Sequence, residues 1–316
     1  MSIRRFFVLF SIILLLVLIG CGTTAIRVPI VKPAEINLKG IEKIAVGEIS
    51  GFMGLDFADE LTTALFNTER YEVLDRQNLN SILSEQGLTW TGIANPKESA
   101  KLGDIIGAAA LVVGRVSDHS YNEEVTYDDR KRKDGTNYRI YWRKGLAKLV
   151  INLKVIDVQT GRILATKQFE AGYSAQTTAT NSKPAEIDKT SLYRGCREDI
   201  VKQFVKMIAP YTVYVKMSFL SDGDIPDLQM GVNMAKVGNW DNAISYFQRA
   251  VKENPGSWKA HYDLGMAYEC TGDYEIAIER LTTAYSLNPK NSIQTEIAYC
   301  RQRIEEQRRL MEQLGE

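Results

Sequence analysis

Hydrophobic positions along this chain follow three successive patterns. From Phe6 to Ile19 every position is apolar except Ser11. Such a run is too short and one-sided to read as a bilayer span, but it has the length of a signal-peptide core. Residues 22–40 are short on periodicity and read as a tether. From Ile41 onward, short apolar runs alternate with helical periodicity. Ile44-Ala45-Val46 with Ile49 predicts a buried strand, and Leu55, Ala58, Leu61, Leu65 and Phe66 predict the inward face of a helix. Tyr71–Leu74 predicts a short strand. Asp75 is placed to cap a helix carrying Leu79, Ile82 and Leu83, and Pro96 opens another that ends at Gly107. Ala110–Val116 predicts a second buried strand. Leu149, Ile151, Leu153 and Val155 alternate towards the turn Gln159–Arg162, which leads into Ile163–Phe169 as a hairpin. A long helix over Ser191–Ala209 stops at Pro210. The fold class is therefore α/β, a mixed sheet with packed helices, over residues 41–217.

Gly223 and Pro226 among polar neighbours place a linker at 218–226. Beyond it the pattern repeats at an offset of 34 residues: Gly231 recurs as Gly265, Gly238 as Gly272, Ala243 as Ala277, Ala250 as Ala284 and Pro255 as Pro289, with Trp240 answered by Tyr274. Glycine and alanine at these positions suit the close contact of two antiparallel helices. This resembles the tetratricopeptide repeat, which implies an all-α solenoid of two units over 227–291. Ile293, Ile297, Cys300, Ile304, Met311 and Leu314 predict one amphipathic capping helix over 292–316. Val232, Lys236, Tyr262, Met266 and Glu269 fall outside the packing consensus. They are candidates either for a groove that holds a protein or peptide partner or for filler between helices.

Leu18-Ile19-Gly20-Cys21 closes the N-terminal apolar run as a bacterial lipobox, with Arg4 and Arg5 as its basic leader. Gly20 satisfies a peptidase that needs a small residue before the cut. Cys21 then supplies the thiol that is lipidated, so residues 1–20 are signal peptide and 21–40 a lipidated tether. Two or three acyl chains, at ~0.8 kcal/mol per buried CH₂, make membrane attachment effectively permanent. Gly22 stands where an inner-membrane retention signal would place aspartate, so the expected address is the outer membrane, on its periplasmic face.

Loss of Arg4 and Arg5 leaves 37 basic against 39 acidic residues, too balanced to hold nucleic acid by counterion release. After Cys21, only Cys196, Cys270 and Cys300 remain, without C-x-x-C spacing, and the two histidines, His119 and His261, have no companions at metal or triad spacing. Free thiols are expected. Gly51-Phe52-Met53-Gly54 lacks the Gly-Lys-Ser/Thr ending of a phosphate loop and reads as a plain βα connection. Asp56, Asp59 and Glu60 read as a solvated helix face. Asp128–Asp134 reads as a mixed-charge hairpin tip. No catalytic residue, metal site or cofactor is expected, and the protein is not expected to be an enzyme.

The stretch Val73–Gln86 resembles the signature of the CsgG family of curli assembly and secretion lipoproteins. Leu102-Gly103, Gly107-Ala108-Ala109 leading into Leu111–Gly114, and Asn152–Asp157 closing at Thr160-Gly161 agree with it, as does the lipobox. The resemblance implies a periplasm-facing assembly or secretion component. In the best-known member it further implies a ring-shaped export channel whose subunits each lend two hairpins to a shared barrel, so a homo-oligomeric channel subunit is one rival reading. Penicillin-binding-protein activator lipoproteins have a related domain, which makes an activator of a peptidoglycan synthase another. A barrel strand needs ~9–11 residues with an apolar band on alternate positions. Tyr121, Val125 and Tyr127 start such a face and Tyr138, Ile140 and Trp142 could return it, with the charged run as their turn. Tyr173–Ile187, the second candidate, has almost no apolar alternation. A soluble domain without its own pore is the expectation.

Overall fold

The computed structural model describes residues 22–89, 96–107 and 109–315. Leu18, Ile19, Gly20 and Cys21 lie outside the described residues. The chain divides into two compact units, one spanning Ala34–Ala209 and one joining the N-terminal segment up to Pro33 with Pro210–Glu316.

Strand β1 (Thr23–Lys32) belongs to the second of these units. The first unit runs β2 (Lys43–Ser50), α1 (Gly54–Phe66), β3 (Glu72–Leu74), α2 (Arg76–Glu85), α3 (Pro96–Ile106), β4 (Ala109–Lys131), β5 (Asn137–Asp157), β6 (Ile163–Thr180) and α4 (Lys189–Ile208). Its sheet has the order β3-β2-β4-β5-β6, with β2 parallel to both neighbours and β4, β5 and β6 antiparallel. Phe57, Leu61 and Leu65 of α1 and Ile200 and Phe204 of α4 pack on one face, against Val46, Val112, Leu149, Ile151 and Leu153. Leu79, Leu83 and Leu102 from α2 and α3 pack with Ala45, Leu111, Ile156 and Val158 in a separate cluster. Asp75 caps α2 by accepting from the Asn78 N–H at 2.8 Å. The connection from β2 to α1 needs its glycines. Gly51 has φ +98°, and a Cβ on Gly54 would stand 2.0 Å from the Ile49 carbonyl oxygen.

The second unit contains β1, β7 (Tyr211–Leu220), α5 (Pro226–Lys236), α6 (Trp240–Glu253), α7 (Trp258–Thr271), α8 (Tyr274–Leu287) and α9 (Asn291–Leu314). The recurrence seen in the sequence has a direct counterpart here. A Cβ on Gly231 would meet the Phe247 ring at 2.4 Å, and one on Gly265 would meet the Leu281 side chain at 2.8 Å. Each pair is thus glycine on one helix and a large apolar residue on the next. Asn239 and Ser257 cap α6 and α7.

Two expected boundaries give way. Residues 21–40 were expected as a tether, yet Thr23–Lys32 pairs antiparallel with Tyr211–Leu220 from Thr23↔Leu220 to Lys32↔Tyr211. Strand β7 also takes residues from the expected end of the sheet domain at 217 and from the expected linker 218–226. The physical reason is burial. Ile26, Val28 and Ile30 share a face with Val213, Val215, Met217 and Phe219. Val28, Ile30, Met217 and Phe219 are buried in the same core as Leu228, Val232 and Leu264 of the helices, and the half-buried Ile26, Val213 and Val215 pack against it. A two-stranded ribbon is marginal alone in water and persists by covering an apolar surface. Pro29 is tolerated because β1 has a partner on one side only.

Candidate functional site: an exposed β-arm and a filled groove

The sheet extends beyond its helical cover. Strands β4 and β5 stay paired as far as Lys131↔Asn137, and β6 follows β5 to Ile140↔Thr180. The distal parts of these strands form a three-stranded arm. The charged run is only partly a turn: Asp128–Lys131 is strand, and the reversal is closed by Arg132 N–H to Thr136 O at 2.8 Å and Gly135 N–H to Arg132 O at 3.0 Å. Tyr173–Thr180 is the third strand of this arm and not a separate hairpin.

Cross-strand pairing assigns side chains to the two faces of the arm. Glu123, Val125, Tyr127 and Asp129 share one face with Gly145, Arg143, Tyr141 and Arg139. Arg139 donates from Nε to Asp129 Oδ1 at 2.6 Å and from Nη2 to Oδ2 at 2.8 Å, while its guanidinium lies 4.2 Å from the Tyr127 ring centre. The side-chain hydrogen bond from Arg139 holds the Asp129 carboxyl below its usual range. Nearer the core, Tyr121 Oη donates to Glu123 at 2.6 Å and Arg143, itself buried, pairs with the same carboxylate. The tyrosine hydrogen bond is the main cause that lowers Glu123, and it pushes the Tyr121 hydroxyl up to about 12. On the opposite face Arg130 bonds Asp128 at 2.8 Å and lies over Trp142 at 5.8 Å, and Arg132 lies over Tyr138 at 5.3 Å. Val125 and Tyr127 remain exposed. Both faces therefore offer planar cations on aromatic rings, a chemistry suited to protein surfaces.

The candidate partner groove is not an open surface. Val232, Tyr262, Met266 and Glu269 are buried, and of the five candidates Lys236 alone is exposed. The first three belong to the core that includes Val28, Ile30, Met217 and Phe219, so they are packed together with the ribbon and not open to solvent. Two buried acids stand there. Asp263 accepts the Leu220 N–H at 2.9 Å (Oδ1) and 3.1 Å (Oδ2), and burial raises its carboxyl. Glu269 Oε1 lies 2.8 Å from Arg303 Nη1 of α9, but neither Glu269 oxygen has an aligned hydrogen-bond donor. Burial pushes Glu269 up to about 7 against the opposing pull of Arg303. The ribbon was missed because its two strands lie far apart in the sequence. The alternation Ala25-Ile26-Arg27-Val28-Pro29-Ile30 was the available signal.

The other flagged residues have ordinary partners. His119 stacks on Phe52 with ring centres 4.1 Å apart, and His261 Nε2 lies 3.0 Å from the Pro255 carbonyl. Glu60 receives Arg197 at 2.7 Å, and Arg197 Nη1 also reaches Met53 Sδ at 3.0 Å. Cys196, Cys270 and Cys300 are free thiols, the last two raised by burial. Among the described residues, no three His, Cys, Asp or Glu side chains converge as a metal site would require.

Residues 41–187 match the model of the curli production assembly/transport component CsgG. The sheet unit is thus similar to the CsgG domain over less than half of the whole chain. The match takes in the whole sheet and the arm, and it ends just before α4. Residues 229–311 match a domain of unknown function, DUF6340; the model that matches there is not the tetratricopeptide one. A comparison with curated protein sequences returns no match. Among solved structures, MamA AMB-1 is similar at 19% identity over 28% of this chain and 49% of that chain, with a TM-score of 0.24, so the chain spans about half of that protein. The lipoprotein GNA1162 from Neisseria meningitidis is similar at 15% identity over 52% of this chain and 97% of that one, with a TM-score of 0.29. The C-terminal domain of LpoB from Salmonella enterica is similar at 12% identity over 42% and 86%, with a TM-score of 0.28. Likenesses at these scores carry no weight for function.

Proposed function

We propose that this protein is a lipid-anchored component of a bacterial envelope assembly or secretion apparatus. On this reading it is held at the outer membrane through Cys21, faces the periplasm, and acts by binding proteins and not by catalysis. The observation that carries the reading is the three-stranded arm of the sheet unit, which leaves Val125 and Tyr127 exposed beside paired guanidinium and aromatic groups. Site-specific photocrosslinking from positions 125 and 127 in intact cells tests it. Crosslinked partners are expected from both positions. Their absence, with the protein expressed and membrane-bound, would overturn the arm as the binding surface.

The helical pairs are read as tetratricopeptide-type, supported by the 34-residue offset between Gly231–Phe247 and Gly265–Leu281. With the ribbon packed into their core, the repeats serve this chain's own architecture first.

Homo-oligomer formation is favoured by one observation. Strand β6 is an edge strand of 18 residues with no neighbour on its outer side among the described residues. Mass measurement of the lipidated protein in detergent decides between monomer and ring. The export-channel version is disfavoured by the arm's side chains. The alternating sets Glu123-Val125-Tyr127-Asp129 and Glu124-Thr126-Asp128-Arg130 both carry charge, and a lipid-facing Arg at the midplane costs ~2–4 kcal/mol. Stepwise conductance in planar bilayers that disappears on deletion of residues 118–145 would reverse this preference.

A further inference from the structure

The chain enters the described structure at Gly22, and that residue is already fastened. Its carbonyl accepts the Ser221 N–H at 2.9 Å and Ser221 Oγ at 3.2 Å. The next residue, Thr23, pairs with Leu220, whose N–H is held by the buried Asp263 of α7. One turn earlier on α7, Lys259 pairs with Asp222 at 2.9 Å. The start of the ribbon is thus tied to the N-terminal half of α7. Its other end lies near the C-terminus of that helix: Lys32 Nζ bonds Glu306 at 2.5 Å, and Ile30 and Val31 line one cleft with Cys270, Thr271 and Gly272. Pro33 and Pro210, which lead into the sheet unit, follow from this far end. Ten residues of antiparallel strand separate the two ends by ~30 Å.

On the lipoprotein reading, only Cys21 and Gly22 lie between the acyl chains and the first paired residue, a reach of ~7 Å. We propose that the lipid anchor leaves the protein at a fixed point on the helical unit. The end made by residues 221–225, the α6–α7 turn and the α8–α9 turn then rests against the lipid headgroups. The chain passes to and from the sheet unit at Pro33 and Pro210, beyond the other end of the ribbon. The chemistry of the anchor end suits an interface. Trp258 lies under the Lys290 ammonium at 4.2 Å, Leu287 is 45% exposed, and Lys252 is exposed in the last turn of α6. Asp224 and Glu253 share this end, so the acyl chains and not net charge hold it at the bilayer.

The inference rests on lipidation at Cys21, and the test separates the two. The full-length lipidated protein, carrying Cys270→Ser, takes single environment-sensitive fluorophores at Gly223→Cys or Gly256→Cys at the anchor end. Val237→Cys and Glu275→Cys serve as positions at the far end. In phosphatidylethanolamine–phosphatidylglycerol vesicles containing headgroup spin-labelled lipid, quenching is expected to be several-fold stronger at 223 and 256 than at 237 and 275. A Gly/Ser insertion between Gly22 and Thr23 is expected to erase that difference while palmitate incorporation persists. Even or reversed quenching in a palmitate-labelled protein overturns the placement alone. Failure of the unmodified Cys21 protein to take up palmitate overturns the lipoprotein reading and the placement with it.

Discussion

This protein has two antiparallel β assemblies that fare in opposite ways. The β1–β7 ribbon presents Ile26, Val28, Ile30, Met217 and Phe219 on one face and puts Arg27, Tyr214 and Lys216 on the other, and helices bury the apolar side. The distal arm of β4, β5 and β6 has no such division. Its two faces both mix carboxylates, guanidinium groups and aromatic rings, and it stands in solvent. Backbone pairing is alike in the two. The difference lies in whether alternate side chains agree on a side, and it teaches that one assembly is core while the other is surface.

The sharpest way to break this comparison is to damage the ribbon's core. Phe219 is buried and stacks on Phe247 at 5.9 Å. Phe219→Ala is expected to destabilise the helical unit by ~3–5 kcal/mol in urea denaturation. A loss as small as that of a surface substitution would mean that the ribbon is ornamental.

Next in size is the glycine at each helix pair. Gly231→Ala and Gly265→Ala drive a methyl against Phe247 and Leu281 respectively, and each is expected to cost ~1–3 kcal/mol, read as a lower melting temperature. Similar losses at the two sites would support their equivalence as repeats.

Glu269 supplies a pH test of the same core. Its folded carboxyl is raised from 4.5 to about 7, so its contribution is greatest below pH 4.5 and is lost as pH rises to about 7. The decline amounts to at most ~3 kcal/mol by the linkage conversion. Glu269→Gln is expected to flatten the stability curve across that window, measured by denaturation at a series of pH values. An unchanged slope would place the titration elsewhere.

The smallest effect belongs to the arm. Arg139→Ala removes the Asp129 pair and the cation over Tyr127, both in solvent. No measurable shift in the denaturation midpoint is expected, whereas crosslinking from position 127 should weaken. A cooperative loss of the whole sheet unit on this change would show that the arm is structural.

Much of the sheet unit was legible because local signals agreed with the tertiary outcome. Ile44–Val46 and Leu149–Val155 are β-rich runs buried in the sheet, and Asp75 caps its helix as its position suggested. The 34-residue recurrence of glycine and alanine beyond residue 226 likewise announced paired helices. What the residues could not announce was which distant segment would cover which face. The alternation of Ile26, Val28 and Ile30 is visible in the chain, but nothing local names Val213–Phe219 as its partner or the helical face as its cover. Whether Val232, Tyr262, Met266 and Glu269 formed a groove or filler stayed open, because the repeat pattern accounts for contacts between helices and not for a strand from the other end of the chain. By itself the sequence determined most elements of the sheet unit, the 34-residue recurrence of glycine and alanine, and the composition of the arm, because these depend on spacing and side-chain chemistry. Only the tertiary structure decided that the expected tether is a core strand and that the expected groove is filled, because burial is a property of surfaces that meet after folding.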